Sequence, residues 1–211
     1  MKKALPIGVE NFKDIVESGY YYVDKSLFIK ELLDMKGKVN LFIRPRRFGK
    51  TLNLSMLRYF YEDTGDTKKN EEYRLLFQGL KIMEQGEEYT EHMGNYPVIN
   101  LTLKSAKQPA FESAYGKLKK AIADEFQRHQ YILENERINE EDKKLYREIA
   151  GRKAEYDDYS GALEFLSKCL HLATDKNTVI LIDEYDVPLE NAYFNACWLS
   201  DKLLIYMGLN E

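Results

Sequence analysis

Three short apolar runs punctuate the chain, and each is flanked by stretches whose apolar residues recur at helical spacing. Val39-Asn40-Leu41-Phe42-Ile43 follows a predicted helix in which Leu27, Phe28, Leu32 and Met35 share a face, with Gly37 as its stop. The run reads as a short buried strand leading into Arg44-Pro45-Arg46-Arg47-Phe48-Gly49. Beyond that glycine, Leu52, Met56 and Tyr59 or Phe60 recur at i, i+4 and i+7 or i+8, so 50–61 is predicted as a helix with one apolar face. A second strand, 98–103, follows Pro97 and precedes a long helix from Ala110 that aligns Phe111, Tyr115, Leu118, Ile122 and Phe126. The third run, 179–182, comes after a helix that Ser160 can cap and whose inner face holds Leu163, Leu166 and Leu170. Residues 1–23 and 62–96 read as turn-rich connections, the first ending in the β-favouring 20–23, and the charge-dense 134–144 as a solvated excursion. Short buried runs separated by helices predict an α/β fold with a mostly parallel sheet covered on both faces.

Composition narrows this picture. With 211 residues there is room for one domain of ordinary size and little room for two, and 44% hydrophobic with 31% charged residues is the balance of a folded chain. No apolar run approaches the roughly 20 residues of a membrane helix, and no signal peptide is recognisable. Cys169 and Cys197 make no metal or disulfide spacing, which suits a reducing cytoplasm. A net charge of -4 argues against a surface devoted to nucleic acid.

The chemistry concentrates at two places. Residues 44–51 carry the second half of the phosphate-loop pattern G-x-x-x-x-G-K-[S/T], with Arg44 in place of the first glycine. In such a loop Gly49 lets backbone N–H groups turn toward phosphates, Lys50 neutralises β and γ oxygens, and the Thr51 hydroxyl can ligate Mg²⁺. The tripeptide alone is a weak signal; the apolar run before it and the helical pattern after it strengthen it. At the end of the third run, Asp183 and Glu184 follow four aliphatics, as expected of a strand tip that delivers Asp183 to Mg²⁺ and Glu184 to an attacking water. The plainer alternative is a buried strand ending in a solvated turn. Asp186, before Val187-Pro188, reads as a helix cap. Arg46 and Arg47 admit phosphate contacts, a nucleic-acid patch with Arg44 and Arg58, or structural pairing; direct nucleic-acid binding is not favoured. His92, His129 and His171 are isolated.

These residues resemble the AAA-ATPase-like proteins of bacteria and archaea, in which an ATPase region usually precedes a nuclease-like domain of the PD-(D/E)xK class. The resemblance runs through 5–12, 21–29, 40–51 and 179–195. It implies a P-loop fold of the ASCE type, ATP with Mg²⁺ as ligand, a loop of Arg44, Pro45, Arg46, Arg47, Phe48, Gly49, Lys50 and Thr51 around the phosphates, Asp183 as the Walker B acid and Glu184 as catalytic base with Lys50. Arg44 for glycine is the family's habit. The resemblance also suggests that 22–28 lies near the nucleotide base, although Asp24 reads rather as the cap of the following helix. After Asn195 the pattern fades, so residues 1–195 are expected to be the N-terminal part of the P-loop domain and 196–211 an atypical tail of a truncated chain. Three functions follow: an ATPase module that drives an effector domain or protein partner, a nucleotide-binding module without turnover, or a nucleic-acid-binding piece of a mobile-element or defence system.

Overall fold

The computed structural model describes residues 3–43, 45 and 48–187. The chain divides into two compact units, Met1–Val98 and Ile99–Glu211. In the first, α1 (Phe12–Glu17) opens at Asn11, whose side chain accepts the amides of Lys13 and Asp14. Phe12 and Ile15 are fully buried, and the Phe12 amide donates to Ser55 Oγ on α3 (Lys50–Tyr61) at 3.0 Å. An aromatic core forms around that tie: the Phe12 ring lies 5.4 Å from Tyr22 and 5.1 Å from Phe77, and Phe60 lies 5.3 Å from Phe77. Burying each such ring is worth about 1.5–3 kcal/mol, so the aromatic cluster dominates the packing that holds α3 in place.

The helix predicted at 50–61 is α3 to the residue, with Met56, Leu57, Tyr59, Phe60 and Tyr61 buried. The preceding helix is α2 (Leu27–Met35), but its left-handed terminal residue is Lys36 rather than Gly37. At Gly37 a Cβ would stand 2.8 Å from Asn40 Oδ1, the end of an exposed side chain that can move aside. The 39–43 strand is not formed. These residues have no ladder, and Val39, Leu41 and Ile43 are 90%, 60% and 80% exposed, while Phe42 packs edge-on against Phe28. β-branched composition makes a segment suited to a sheet, but a strand exists only where a partner backbone meets it. The 62–96 segment is also more ordered than its polarity suggests. It holds α4 (Thr67–Leu75), capped by Asp66 on the amides of Lys68 and Lys69, a 3₁₀ turn (Lys81–Glu84) and the single-turn α5 (Glu87–Thr90).

In the second unit β1 (Val98–Thr102) and β2 (Val179–Asp183) pair as a two-stranded parallel sheet. The fold is therefore mixed α/β, mostly helical, and among the described residues the expected larger sheet is reduced to this pair. Helices α6 (Phe111–Arg128), α7 (Glu140–Ala150), α8 (Tyr156–Ser160) and α9 (Ala162–Thr174) surround a core that includes Ile99, Leu101, Phe126, Tyr146, Leu166 and Leu170. The charge-dense 134–144 is largely solvent-facing as expected, with Ile138 its buried exception, and α7, which begins inside it, buries Tyr146, Ile149 and Ala150 just beyond it. Ser160 does not cap α9: it ends α8, its hydroxyl donating to the Asp157 carbonyl at 2.6 Å, and Gly161 precedes α9. Among the described residues no helix is long and apolar enough to cross a membrane.

Candidate functional site

Gly49 is the N-cap of α3, with φ 76° and ψ 23°. That left-handed conformation costs an L-residue roughly 1–2 kcal/mol, which is the local reason for glycine before Lys50. The Gly49 carbonyl accepts the Asn53 amide at 2.9 Å, so the turn passes directly into helix. Lys50 and Thr51 occupy the first turn, each half-buried. Among the described residues no side chain caps this end of α3, and its first turn holds no acid. Pro45 is exposed, and its carbonyl accepts the Phe48 amide at 3.4 Å; the Phe48 ring is exposed as well. Arg44, Arg46 and Arg47 lie outside the described residues. Arg58, a member of the possible basic patch, is engaged by Glu62, a buried carboxylate 3.0 Å from its Nε.

The segment before α2 is held residue by residue. The Tyr22 hydroxyl lies 3.3 Å from Met56 Sδ on α3, and burial pushes its pKa up to about 12. Asp24 accepts the Ser26 amide at 2.8 Å and the Lys81 amide at 2.9 Å. Buried Ser26 accepts the Ile82 amide at 3.1 Å. Asp24 is therefore not the α2 cap, which is Ser26; it ties the segment to the Lys81–Glu84 turn. Burial raises the Asp24 carboxyl, but the Lys81 amide and the Ser26 hydroxyl and amide outweigh it and hold it below its ordinary value. Asp24→Asn is expected to cost about 1–2 kcal/mol near neutral pH through the weakened tethers. Because the folded-state pKa is depressed, that contribution is complete above the ordinary value of 3.8 and fades as pH falls through the folded one. Urea unfolding of both proteins from pH 6 to pH 3 should show the gap closing in acid; a gap that is constant or widens would remove Asp24 as an ionised tether.

Between these anchors Lys25 is exposed, and its Nζ lies 3.9 Å from where a Cβ on Gly49 would stand. Its membership in the family-like 21–29 stretch was a signal for this segment, but nothing in the local pattern tells which residue meets the phosphate loop.

In the second unit, Asp183 ends β2 and is buried, at 8% exposure. Its Oδ1 accepts the Glu184 amide at 3.1 Å, and its carbonyl accepts the Leu103 amide at 3.0 Å. Glu184 adopts φ 57°, an uncommon conformation for a residue with a side chain. Asp186 precedes helical Val187, as a cap would, and its Oδ1 is buried without a hydrogen-bond partner among the described residues. The amides it would cap lie outside those residues. No cluster of three or more His, Cys, Asp or Glu stands ready for a metal among them. Buried Cys169 has its thiol pushed up to about 11 by burial, and Cys197 lies outside the described residues. His129 is buried and His171 exposed, while His92 stacks on Tyr96. Gly49, Lys50 and Thr51 thus share one unit, Asp183 and Glu184 the other.

Comparison with known proteins bears on both halves. The family model described as Predicted AAA-ATPase matches residues 6–203, a span that passes Asn195. An uncharacterized protein in the vnfD 5' region of Azotobacter chroococcum mcd 1 is 28% identical over 189 residues, covering 89% of this chain and 30% of that protein. The chain therefore spans less than a third of the length of that curated relative. No solved structure matches it.

Proposed function

The chain belongs to the AAA-ATPase-like family, and on that premise we propose that it adopts a P-loop fold and binds Mg²⁺-ATP through residues 44–51. In the complete protein the nucleotide is hydrolysed to drive an effector, such as a nuclease-like C-terminal domain or a separate protein. The observation that carries this reading is the left-handed Gly49 opening α3 directly into Lys50 and Thr51, with no acid in the first turn. A half-buried helix start of this kind offers backbone N–H groups and a positive field to phosphate, and Lys50 adds a full charge.

The residue types suit Mg²⁺. This ion keeps several waters and takes one or two carboxylates plus substrate phosphates, so it needs no cluster of acids, and the buried Asp183 carboxylate and an Asp186 Oδ1 without a hydrogen-bond partner among the described residues make an acceptor-rich strand end. Thr51 and Asp183 would hold the ion, which when bound neutralises charge developing on the phosphates. Lys50 binds the β and γ oxygens, Gly49 keeps the backbone close to them, and Glu184 accepts the proton of the attacking water. With Arg58 already paired to Glu62, the nucleic-acid reading loses one of its cations.

Calorimetric titration of the 211-residue chain with Mg²⁺-ATP is the test. Binding is expected, and Lys50→Ala should weaken it about 10–100-fold or abolish it, as loss of a charged hydrogen bond to phosphate requires. Phosphate release in the same sample separates hydrolysis from binding alone. A folded wild type that binds no nucleotide, or a Lys50→Ala variant that binds as tightly, would overturn the reading.

A further inference from the structure

Lys25 is an exposed lysine delivered to one place by buried neighbours. Tyr22 is wedged against Met56 and Phe12, Asp24 takes two backbone amides, and Ser26 is fully buried under the Lys81–Glu84 turn. The backbone on both sides of Lys25 is therefore fixed, and its ammonium comes to rest beside Gly49, 3.9 Å from the missing Cβ. Among the described residues neither Lys25 nor Lys50 has a carboxylate within ion-pair distance, in a chain with 35 Asp and Glu. The nearby start of α3 adds its own positive end and contains no acid to offset it. Placing an ammonium against that helix end is electrostatically unfavourable by itself and becomes favourable when an anion lies among the three.

We infer that Lys25 is a second phosphate-binding cation of this site, acting with Lys50, so that affinity rises with the number of phosphates on the nucleotide. The inference rests on the phosphate-loop reading and adds to it a residue that precedes the loop by some 20 positions in the chain. It assigns the 22–26 segment to the phosphate chain rather than to the nucleotide base. The glycine matters here through its backbone: any side chain at 49 would be strained at φ 76°, while its Cβ would meet the ammonium only at an ordinary contact distance.

The experiment compares wild type, Lys25→Ala, Lys25→Arg and Lys50→Ala, each checked for folding by far-ultraviolet circular dichroism, in titrations with ATP, ADP, AMP and adenosine. Lys25→Ala is expected to weaken ATP roughly 10–50-fold, ADP less and AMP least, with adenosine unchanged, the size of loss typical of one charged contact to phosphate. Lys25→Arg should restore most of the ATP affinity, which a merely structural role for the lysine stem would not predict across that phosphate series. An ATP affinity unchanged in Lys25→Ala, or an equal loss for all four ligands, overturns the inference while leaving the phosphate-loop reading intact if Lys50→Ala still abolishes binding. Absence of nucleotide binding in the wild type overturns both.

Discussion

Tyr146→Ala is expected to destabilise the second unit by about 3–5 kcal/mol, since Tyr146 is among the largest fully buried side chains of the described residues. Tyr146 is fully buried although it lies on a helix that begins with three acids. Its ring packs 4.7 Å from Phe126, so α7 and α6 share one aromatic contact at the centre of the core. Its hydroxyl donates to the Phe126 carbonyl at 2.7 Å, and burial raises the phenol above its ordinary pKa. Truncation removes ring, contact and hydrogen bond together and leaves a cavity that two helices cannot close without repacking. Tyr146→Phe isolates the polar part and should cost about 1–3 kcal/mol, because the buried carbonyl loses this donor. Guanidinium unfolding followed by circular dichroism would measure both. A loss below about 1 kcal/mol for Tyr146→Ala would mean that α7 is peripheral to the core rather than built into it.

That helix shows what the pattern of the chain conveys and what it hides. Periodicity located α3 to the residue, and short apolar runs located the two strands to within a residue, because each is a local signal: Gly49 and then apolar positions at a fixed repeat for the helix, an apolar run after a turn for the strands. The charged start of α7 masked the apolar residues at its end, since a helix needs only a few buried positions to dock when its neighbours supply the rest of the core. In α4 the defining feature is Asp66 capping two amides ahead of a polar run, a signal independent of periodicity. The 39–43 segment failed in the opposite direction. Its composition suits a strand, but strand formation depends on a second backbone far away in sequence, which composition does not encode.

The site divides in the same way. Gly49, Lys50 and Thr51 stand out in the sequence as three adjacent residue types at a motif's spacing, and the left-handed glycine at the start of α3 is the backbone conformation that motif asks for. Asp24 was legible as a residue of interest but not in its role, because the amide it holds on Lys81 lies 57 positions away. Lys25 was hidden for a related reason. Its neighbours Asp24 and Ser26 are fixed by hydrogen bonds to a turn that sequence polarity presents as a loop, and only those bonds bring the ammonium to Gly49.

Replacing Glu184 is expected to separate stability from turnover. At φ 57° the Glu184 backbone lies in the left-handed region, which costs a non-glycine residue about 1–2 kcal/mol, yet glutamate rather than glycine stands there. Its amide is held by the Asp183 carboxylate and its carbonyl by the Val187 amide, so the turn is fixed from both sides and the conformational cost persists in the folded chain. If the carboxylate takes the proton of the attacking water, Glu184→Gln should leave Mg²⁺-ATP affinity within about threefold while phosphate release falls about 10²–10⁴-fold, the range of general-base catalysis. Glu184→Gly should lose the same activity, but the left-handed backbone is relieved and the greater freedom of glycine in the unfolded chain offsets only part of it. Its stability is then unchanged or higher by up to about 1 kcal/mol. Denaturant titration and phosphate release on the same preparations decide the matter. Near-normal phosphate release by Glu184→Gln would remove the glutamate from the chemistry. A Glu184→Gly variant that is clearly less stable than wild type would mean that the side chain is held for packing, and the left-handed turn would then carry no argument for catalysis.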